Sequence, residues 1–461
     1  MQEVKDSRMG TEYIPKLMFS LAMPAIIAQV INILYNIVDR MYIGHIPEVG
    51  ALALTGLGVS APLLIIISGF SMLVGGGGAP LAAIAMGKND KEEAERILGA
   101  GTYLLTILGI VLTILIFIFK EPILYIFGAS DVTFSYANSY TSIYLLGTIF
   151  VQYALGLNTF ITSQGQSKIA MFSVLIGAGT NIILDPIFIF GFGMGVQGAA
   201  WATVISQALS GFYVIYFLRS KRSVIRIKKE YVHFDKLILK KTIALGVSPF
   251  IMAVTQSAVV IVFNSGLLRY GGDLHVGAMT IMQSVMQLMI VPVQGFTQGV
   301  QPIVSYNFGA QKMDRVKETV KKSLLLTVAT TVIFYGVILL VPQLFARIFT
   351  TDPELTNVII DLLPIFMGGM WMFGVQMTAQ MFFVGTGEAK KSLFLALLRK
   401  VIVLIPLALI LPNWFEVRGI YYSEPIADII SATTAGILLW ATAKKTLSAE
   451  NIALQSSKEF S

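Results

Sequence analysis

Long apolar runs alternate with short polar breaks along almost the whole chain. Twelve candidate helices follow, at 14–38, 51–78, 97–119, 136–160, 168–190, 196–218, 242–267, 276–303, 321–345, 359–384, 393–411 and 418–441. About 20 residues suffice to cross a hydrocarbon layer as a helix, so each run reads as a membrane span, the longer ones tilted or protruding. The first run follows Lys5, Arg8 and Lys16 but is long, lacks an Ala-x-Ala end and precedes another span. It reads as a retained helix, not a cleaved signal.

Placing the amino terminus inside and alternating puts 28 Lys and Arg residues on the inner side and 5 on the outer. The outer set is Arg40, Lys120, Arg269, Arg347 and Arg418, and the inner set includes Arg399 and Lys400. This bias predicts both termini in the cytoplasm and an even number of spans. Composition agrees: 461 residues, 55% hydrophobic and 13% charged, with a mean hydropathy of +0.76. Soluble domains carry about 25% charge. The net charge of +7 lies between spans, which favours a membrane surface over nucleic acid. With no Cys and three His, disulfides and Cys-ligated metals are excluded, and a His-rich metal site has almost no ligands to draw on.

The chain repeats itself at a spacing of about 221–226 residues. Gly69-Phe70 matches Gly295-Phe296, Pro80 matches Pro302, Gly165-Gln-Ser-Lys168 matches Gly387-Glu-Ala-Lys390, and Val196-Gln-Gly198 matches Val417-Arg-Gly419. Six spans separate equivalent positions, so the halves enter the membrane in the same sense, a parallel repeat. The predicted fold is all-α and polytopic: twelve transmembrane helices in two six-helix lobes. Residues 1–218 form the first lobe, 219–241 a basic cytoplasmic linker that lets the lobes rock, 242–445 the second lobe and 446–461 a cytoplasmic tail.

Two places concentrate polar chemistry inside spans. Gln29, Asn32, Asn36 and Asp39 form one helical stripe, which must face protein or water. Asn181 and Asp185 lie one turn apart in the fifth run, and Pro186 removes a backbone donor beside them. Carboxylate and amide oxygens suit a sodium ion, and a buried carboxylate equally suits a proton. Asp428 is a lesser second candidate, and Asp361 begins the tenth run too early to place. Met279, Met282, Met286 and Met289 stripe the eighth run, reading equally as core filling, lipid contact or the adaptable wall of a drug cavity. Gln283 and Gln287 add hydrogen-bonding groups, and Trp371, with Phe70, Trp201 and Tyr421, offers aromatic faces to flat cations. Basic residues inside spans look too few for an anionic lipid pocket. Glu92-Glu93-x-Glu95 reads as a solvated helix face, and Gly75–Gly78, lacking a Walker ending, as a close-packing segment.

Pro24 with Tyr35-Asn-Ile-Val-Asp39, Asn181-Ile-Ile-Leu-Asp185-Pro186 and the Gly87-Lys-Asn-Asp loop together resemble the multidrug and toxic compound extrusion (MATE) family, closest to its bacterial MepA/DinF-like branch. The resemblance covers about residues 10–445. It implies a secondary exporter of cationic or amphiphilic drugs and dyes in the bacterial cell membrane, working as a monomer among lipids. Driven by H+ or Na+, such an exporter needs no cofactor. It also gathers Tyr35, Asp39, Asn181, Asp185 and Thr203 into one coupling site, with Asp39, Asn181, Asp185 and Thr203 as the sodium ligands. It makes Pro24 a hinge; the residues themselves add Pro186 as a second hinge and Asn36, Gln283, Met286, Gln287 and Trp371 as candidates for the drug cavity. A flippase for a lipid-linked saccharide is the nearest alternative. An intramembrane transferase would need an Asp-Asp-x-x-Asp cluster that the chain lacks.

Overall fold

The computed structural model describes residues 8–350 and 352–446. The expected tail beyond Thr446, with Lys458, and the first residues, with Lys5, lie outside them.

The described chain is all-helical. In order it forms α1 (Ile14–Gly44), α2 (Gly50–Gly87), α3 (Lys91–Ile126), α4 (Asp131–Leu146 and Thr148–Ser163), α5 (Ser167–Gly191), α6 (Val196–Arg219) and α7 (Lys236–Gly309). Then come α8 (Met313–Leu340), the short α9 (Pro342–Phe349), α10 (Pro353–Phe366 and Met370–Gly385), α11 (Ala389–Ile410) and α12 (Pro412–Thr446). Among the described residues, nine helices are long and apolar enough to cross a membrane, or eleven if the bent α4 (63°) and α10 (47°) each count as one. The protein is therefore a multi-pass membrane protein.

Local chemistry sets the breaks. Asp90 caps α3 by accepting from the Glu93 amide at 2.9 Å, and Asp352 caps α10 ahead of Pro353. A Ser130–Thr133 capping box starts α4. Gly272 has φ 69° and ψ −169°, a conformation only glycine adopts readily, and it breaks the long α7 at a kink.

The chain divides into two compact units: Ser20–Ala253, called the N-terminal unit, and Met1–Phe19 with Val254–Ser461, called the C-terminal unit. The N-terminal core gathers Ile43, Leu57, Ile67, Leu112, Tyr140 and Tyr144 from α1 to α4. Here α2 meets the start of α7 at backbone distance: a Cβ on Gly77 would lie 2.0 Å from the Thr242 carbonyl oxygen, and one on Gly246 would lie 1.7 Å from that of Leu73. The Gly75–Gly78 run is thus a packing surface.

The segment before α7 is not a loose tether. Gln164 Oε1 accepts from the Val224 amide at 2.7 Å, the Ser223 hydroxyl at 3.0 Å and the Ile225 amide at 3.3 Å. Glu95 accepts from Lys228 at 2.7 Å, and Arg96 donates to Asp235 at 2.8 Å. Glu95 is therefore buried, not part of a solvated face: its carboxylate holds the linker onto the bundle. The backbone amides of Ile238 and Leu237, with Arg96, hold the Asp235 carboxyl below its usual range. Glu95 pushes the Lys228 ammonium up.

In the C-terminal unit a matching grip holds the segment before α1. Asn307 Nδ2 donates to the Met9 carbonyl at 2.9 Å, and Arg315 Nη2 donates to that of Glu12 at 2.7 Å. The core of this unit is large and rich in Met and Phe. Met279, Met282, Met286 and Met289 all lie inside it, against Phe263, Phe366 and Tyr421. Met286 is 6% exposed and packs inside this core, which favours the core-filling reading of the stripe. Gln283 is half-buried and Gln287 exposed on other faces of the same helix. Trp371, 41% exposed, sits at the break in α10.

Candidate functional site

The polar stripe of α1 ends at Asp39, which is 7% exposed although it lies near the end of its helix. Opposite it, α5 presents Asn181 (2%) and Asp185 (0%), and α6 presents Thr203 (8%). The Asn181 amide Nδ2 lies 3.3 Å from Asp185 Oδ1 and 3.4 Å from Thr203 Oγ1, donating to both. The Thr203 hydroxyl in turn donates to the Ala199 carbonyl at 3.0 Å, its own preceding turn. Asp39 interacts directly with Asp185. Tyr35, half-buried one turn before Asp39, completes the group, within reach of both carboxylates. All five residues named from the sequence are therefore brought together. Asn36 is exposed, donates to the Asn32 carbonyl at 2.6 Å and also meets the Tyr35 hydroxyl.

Three oxygens in this cluster are buried without a hydrogen-bond partner: Asp39 Oδ1, Asn181 Oδ1 and Asp185 Oδ2. Leaving such atoms unpaired is costly, especially two carboxylates facing each other. A single cation supplied to this spot relieves that cost. A proton shared by the carboxylates does so, and so does a sodium ion taking the three orphan oxygens with Thr203 Oγ1. Among the described residues no group of three or more His, Cys, Asp or Glu converges.

Pro186 ends the α-helical part of α5, and the next turn, Ile187–Gly191, is a wider π-type helix. Pro186 cannot donate, and the helix loosens beside Asp185. Pro24 is buried within α1, which runs through it as one element.

Two residues of the site were missed in the sequence. Tyr140 and Tyr144, 3% and 6% exposed on α4, line it: Tyr140 beside Thr203, Asp39 and Tyr35, and Tyr144 beside Tyr35 and Ser68. Their signal was the i, i+4 pair of phenols within a span.

In the C-terminal unit Asp361 is not buried; it pairs with Arg418 at 3.0 Å near the surface. Asp428 is 1% exposed and bonded to Arg399. Arg399 and Lys400 lie inside α11, each 9% exposed, so they are buried within a span and are not inner-loop charges. Removing both leaves the inner excess of Lys and Arg large.

The fold is that of an all-α, multi-pass membrane protein. A family model described as MatE matches residues 24–187 and again 249–410, and the chain belongs to that family. The multidrug export protein MepA of Staphylococcus haemolyticus (strain JCSC1435) is 26% identical over 92% of this chain and 93% of its own length. MepA of Staphylococcus aureus (strain NCTC 8325 / PS 47) is 25% identical over the same shares. Among solved structures, an outward-facing multidrug resistance MATE family transporter of the MOP superfamily matches with a TM-score of 0.88 at 22% identity, covering 97% of this chain and 99% of that one. A MATE structure in the bent conformation matches with a TM-score of 0.89 at 23% identity, covering 96% and 98%. These two likenesses concern the fold. Family membership makes the chain a transporter, not an enzyme.

Proposed function

We propose that the protein exports cationic or amphiphilic drugs and dyes across the bacterial cell membrane in exchange for an inward-moving cation. The carrying observation is the buried trio of unpartnered oxygens on Asp39, Asn181 and Asp185. Such a site is unfavourable empty and favourable loaded, which is what a coupling ion requires. The ion, H+ or Na+, reaches the cluster of Tyr35, Asp39, Asn181, Asp185 and Thr203 from outside. Binding cancels carboxylate repulsion, lets α1 and α5 repack at Pro24 and Pro186, and lowers drug affinity. Drug and ion need not touch; they need only favour different conformations. Asn36 of the N-terminal unit and Gln283, Gln287 and Trp371 of the C-terminal unit are each at least partly exposed, and each is proposed to contact drug. No resident cofactor takes part.

The full architecture is read as twelve spans in two parallel-repeat lobes, residues 1–218 and 242–445, with both termini cytoplasmic and a functional monomer. Several features support the repeat. α7, 74 residues long and kinked at Gly272, supplies two spans. The MatE match occurs twice. Positive φ recurs at paired positions: Asn89 with Gln311, Gly165 with Gly387, and Gly195 with Glu416. The bent α4 and α10 fall at equivalent places.

One inward charge gains about 2.3 kcal/mol per 100 mV, enough for roughly a fifty-fold gradient of a neutral drug. Exchange of one proton for one monovalent drug moves no net charge, and the pH difference then drives it. Reconstituted efflux of a cationic dye, with pH and sodium gradients imposed separately, tests the proposal. Efflux under one gradient supports it and identifies the ion; none under either returns attention to a lipid-linked solute.

A further inference from the structure

A second charged cluster lies inside the C-terminal unit. Arg399 and Lys400 occupy the π-type segment Leu398–Leu404 of α11, and Glu424 and Asp428 stand one turn apart on α12. Arg399 Nε donates to Asp428 Oδ1 at 2.7 Å, and its Nη2 donates to Glu424 Oε1 at 2.9 Å. Lys400 Nζ donates to the Gln256 amide oxygen at 2.8 Å, so it is directed at α7 as well as lying near Glu424. Glu424 and Asp428 are 4% and 1% exposed, and Asp428 Oδ2 is buried with no hydrogen-bond partner.

The charges acting on Glu424 are Arg399, Asp428 and Lys400, and on Asp428 chiefly Arg399. Other packed elements add none. The second half of α10, Phe373–Gly385, carries no charged residue; its first half offers Glu354 at its exposed start and Asp361, taken by Arg418, and Lys391 of α11 pairs with Glu388. The quartet is therefore isolated, and neutral when all four groups are ionised.

Two carboxylates one turn apart share one guanidinium, and one of their oxygens has no donor. A metal ion at that oxygen would face Arg399 and be repelled. A proton would not, because it adds to a carboxylate oxygen without needing a coordination shell. We propose that the Arg399–Glu424–Asp428 cluster is a second proton-exchange site, which loads and unloads one proton during transport. The proton adds to the carboxylate pair, and the cluster with Lys400 passes from neutral to a single positive charge. One Arg399 hydrogen bond weakens, and α11 loosens from α12. The proton belongs to the coupled pair, not to one residue. Its place in the cycle rests on the transport reading; its exchange at this cluster does not.

The test is pH-difference infrared spectroscopy of the purified full chain in lipid, reading the C=O stretch of protonated carboxyl groups. Titration runs above about pH 5.5, where exposed carboxylates are ionised. The samples are wild type, Asp39→Asn/Asp185→Asn, and that pair with Glu424→Gln or with Asp428→Asn. The expected result is a titrating carboxyl band that survives loss of Asp39 and Asp185 and is diminished by either further change. No titrating band in the Asp39→Asn/Asp185→Asn protein overturns the proposal and leaves a fixed ion pair, whatever the folding of the triple variants. A band unchanged in both triple variants overturns it too. Because Asp39 and Asp185 are absent throughout, either failure leaves the N-terminal coupling site untouched.

Discussion

Asn181 and Asp185 stand one turn apart on the same helix, yet their 3.3 Å contact leaves one oxygen of each side chain buried without a donor. A network built only for stability would be closed. This one is open at the point where Asp39 arrives from α1, and the proposed coupling chemistry follows from that opening. Asn181→Leu removes the amide that holds Asp185 in place, and its ion-driven efflux is expected to fall at least tenfold while membrane insertion is retained. Dye efflux normalised to reconstituted protein checks this, and efflux at the wild-type rate would remove Asn181 from the site.

Met286→Ala should act on stability and leave drug choice alone. The side chain sits in the core of the C-terminal unit, and truncation there costs about 2–5 kcal/mol through lost contacts and a cavity. Thermal unfolding in detergent should register the loss, while relative efflux of chemically diverse dyes stays unchanged. A shifted dye profile at unchanged stability would restore the methionine stripe to the cavity wall.

Arg399→Ala strands Glu424 and Asp428 together. Removing one partner of a buried ion pair costs about 3–5 kcal/mol, most of it from the charges left behind. Adding Glu424→Gln and Asp428→Asn to Arg399→Ala should recover much of that loss, because no buried anion remains. Unfolding midpoints of the single and triple variants measure this, and additive destabilisation would contradict the ion-pair account.

How much was readable beforehand depended on the kind of signal. The helical runs were legible because hydrocarbon imposes length and apolarity on each one separately. Asp39, Asn181 and Asp185 were legible because polar groups at helical spacing inside a span are costly unless they meet a partner or a ligand. Thr203 and Tyr35 came with the family motif, since neither side chain is unusual alone. Tyr140 and Tyr144 were passed over because phenols in spans are ordinary, and only the meeting of α4 with α1 and α6 gives them a role. Glu95, Arg399 and Lys400 were misread for one shared reason: counting charges by segment assumes that each is solvated. Burial depends on partners distant in sequence, such as Lys228 for Glu95 and Asp428 for Arg399.

The linker strap has a definite pH window. Asp235 is held below its usual value, so its contribution is present above the ordinary carboxylate pKa of about 4 and is lost as pH falls through the folded value. Lys228 is raised by Glu95, so its contribution is complete below about pH 10 and is lost as pH rises through the folded value. Protease nicking within 220–235 should therefore be slow at neutral pH and accelerate at both extremes. Glu95→Gln should speed nicking at neutral pH. Nicking of Glu95→Gln at the wild-type rate would show that Gln164 and Arg96 hold the linker without Glu95.

The most direct test of the central claim is dye efflux from proteoliposomes under an imposed pH or sodium gradient, comparing wild type with Asp39→Asn and Asp185→Asn. Each variant should bind dye but fail to concentrate it, because the buried site no longer gains from loading an ion. Concentrative efflux at the wild-type rate by both variants, under the same gradient, would contradict the assignment of coupling to this cluster.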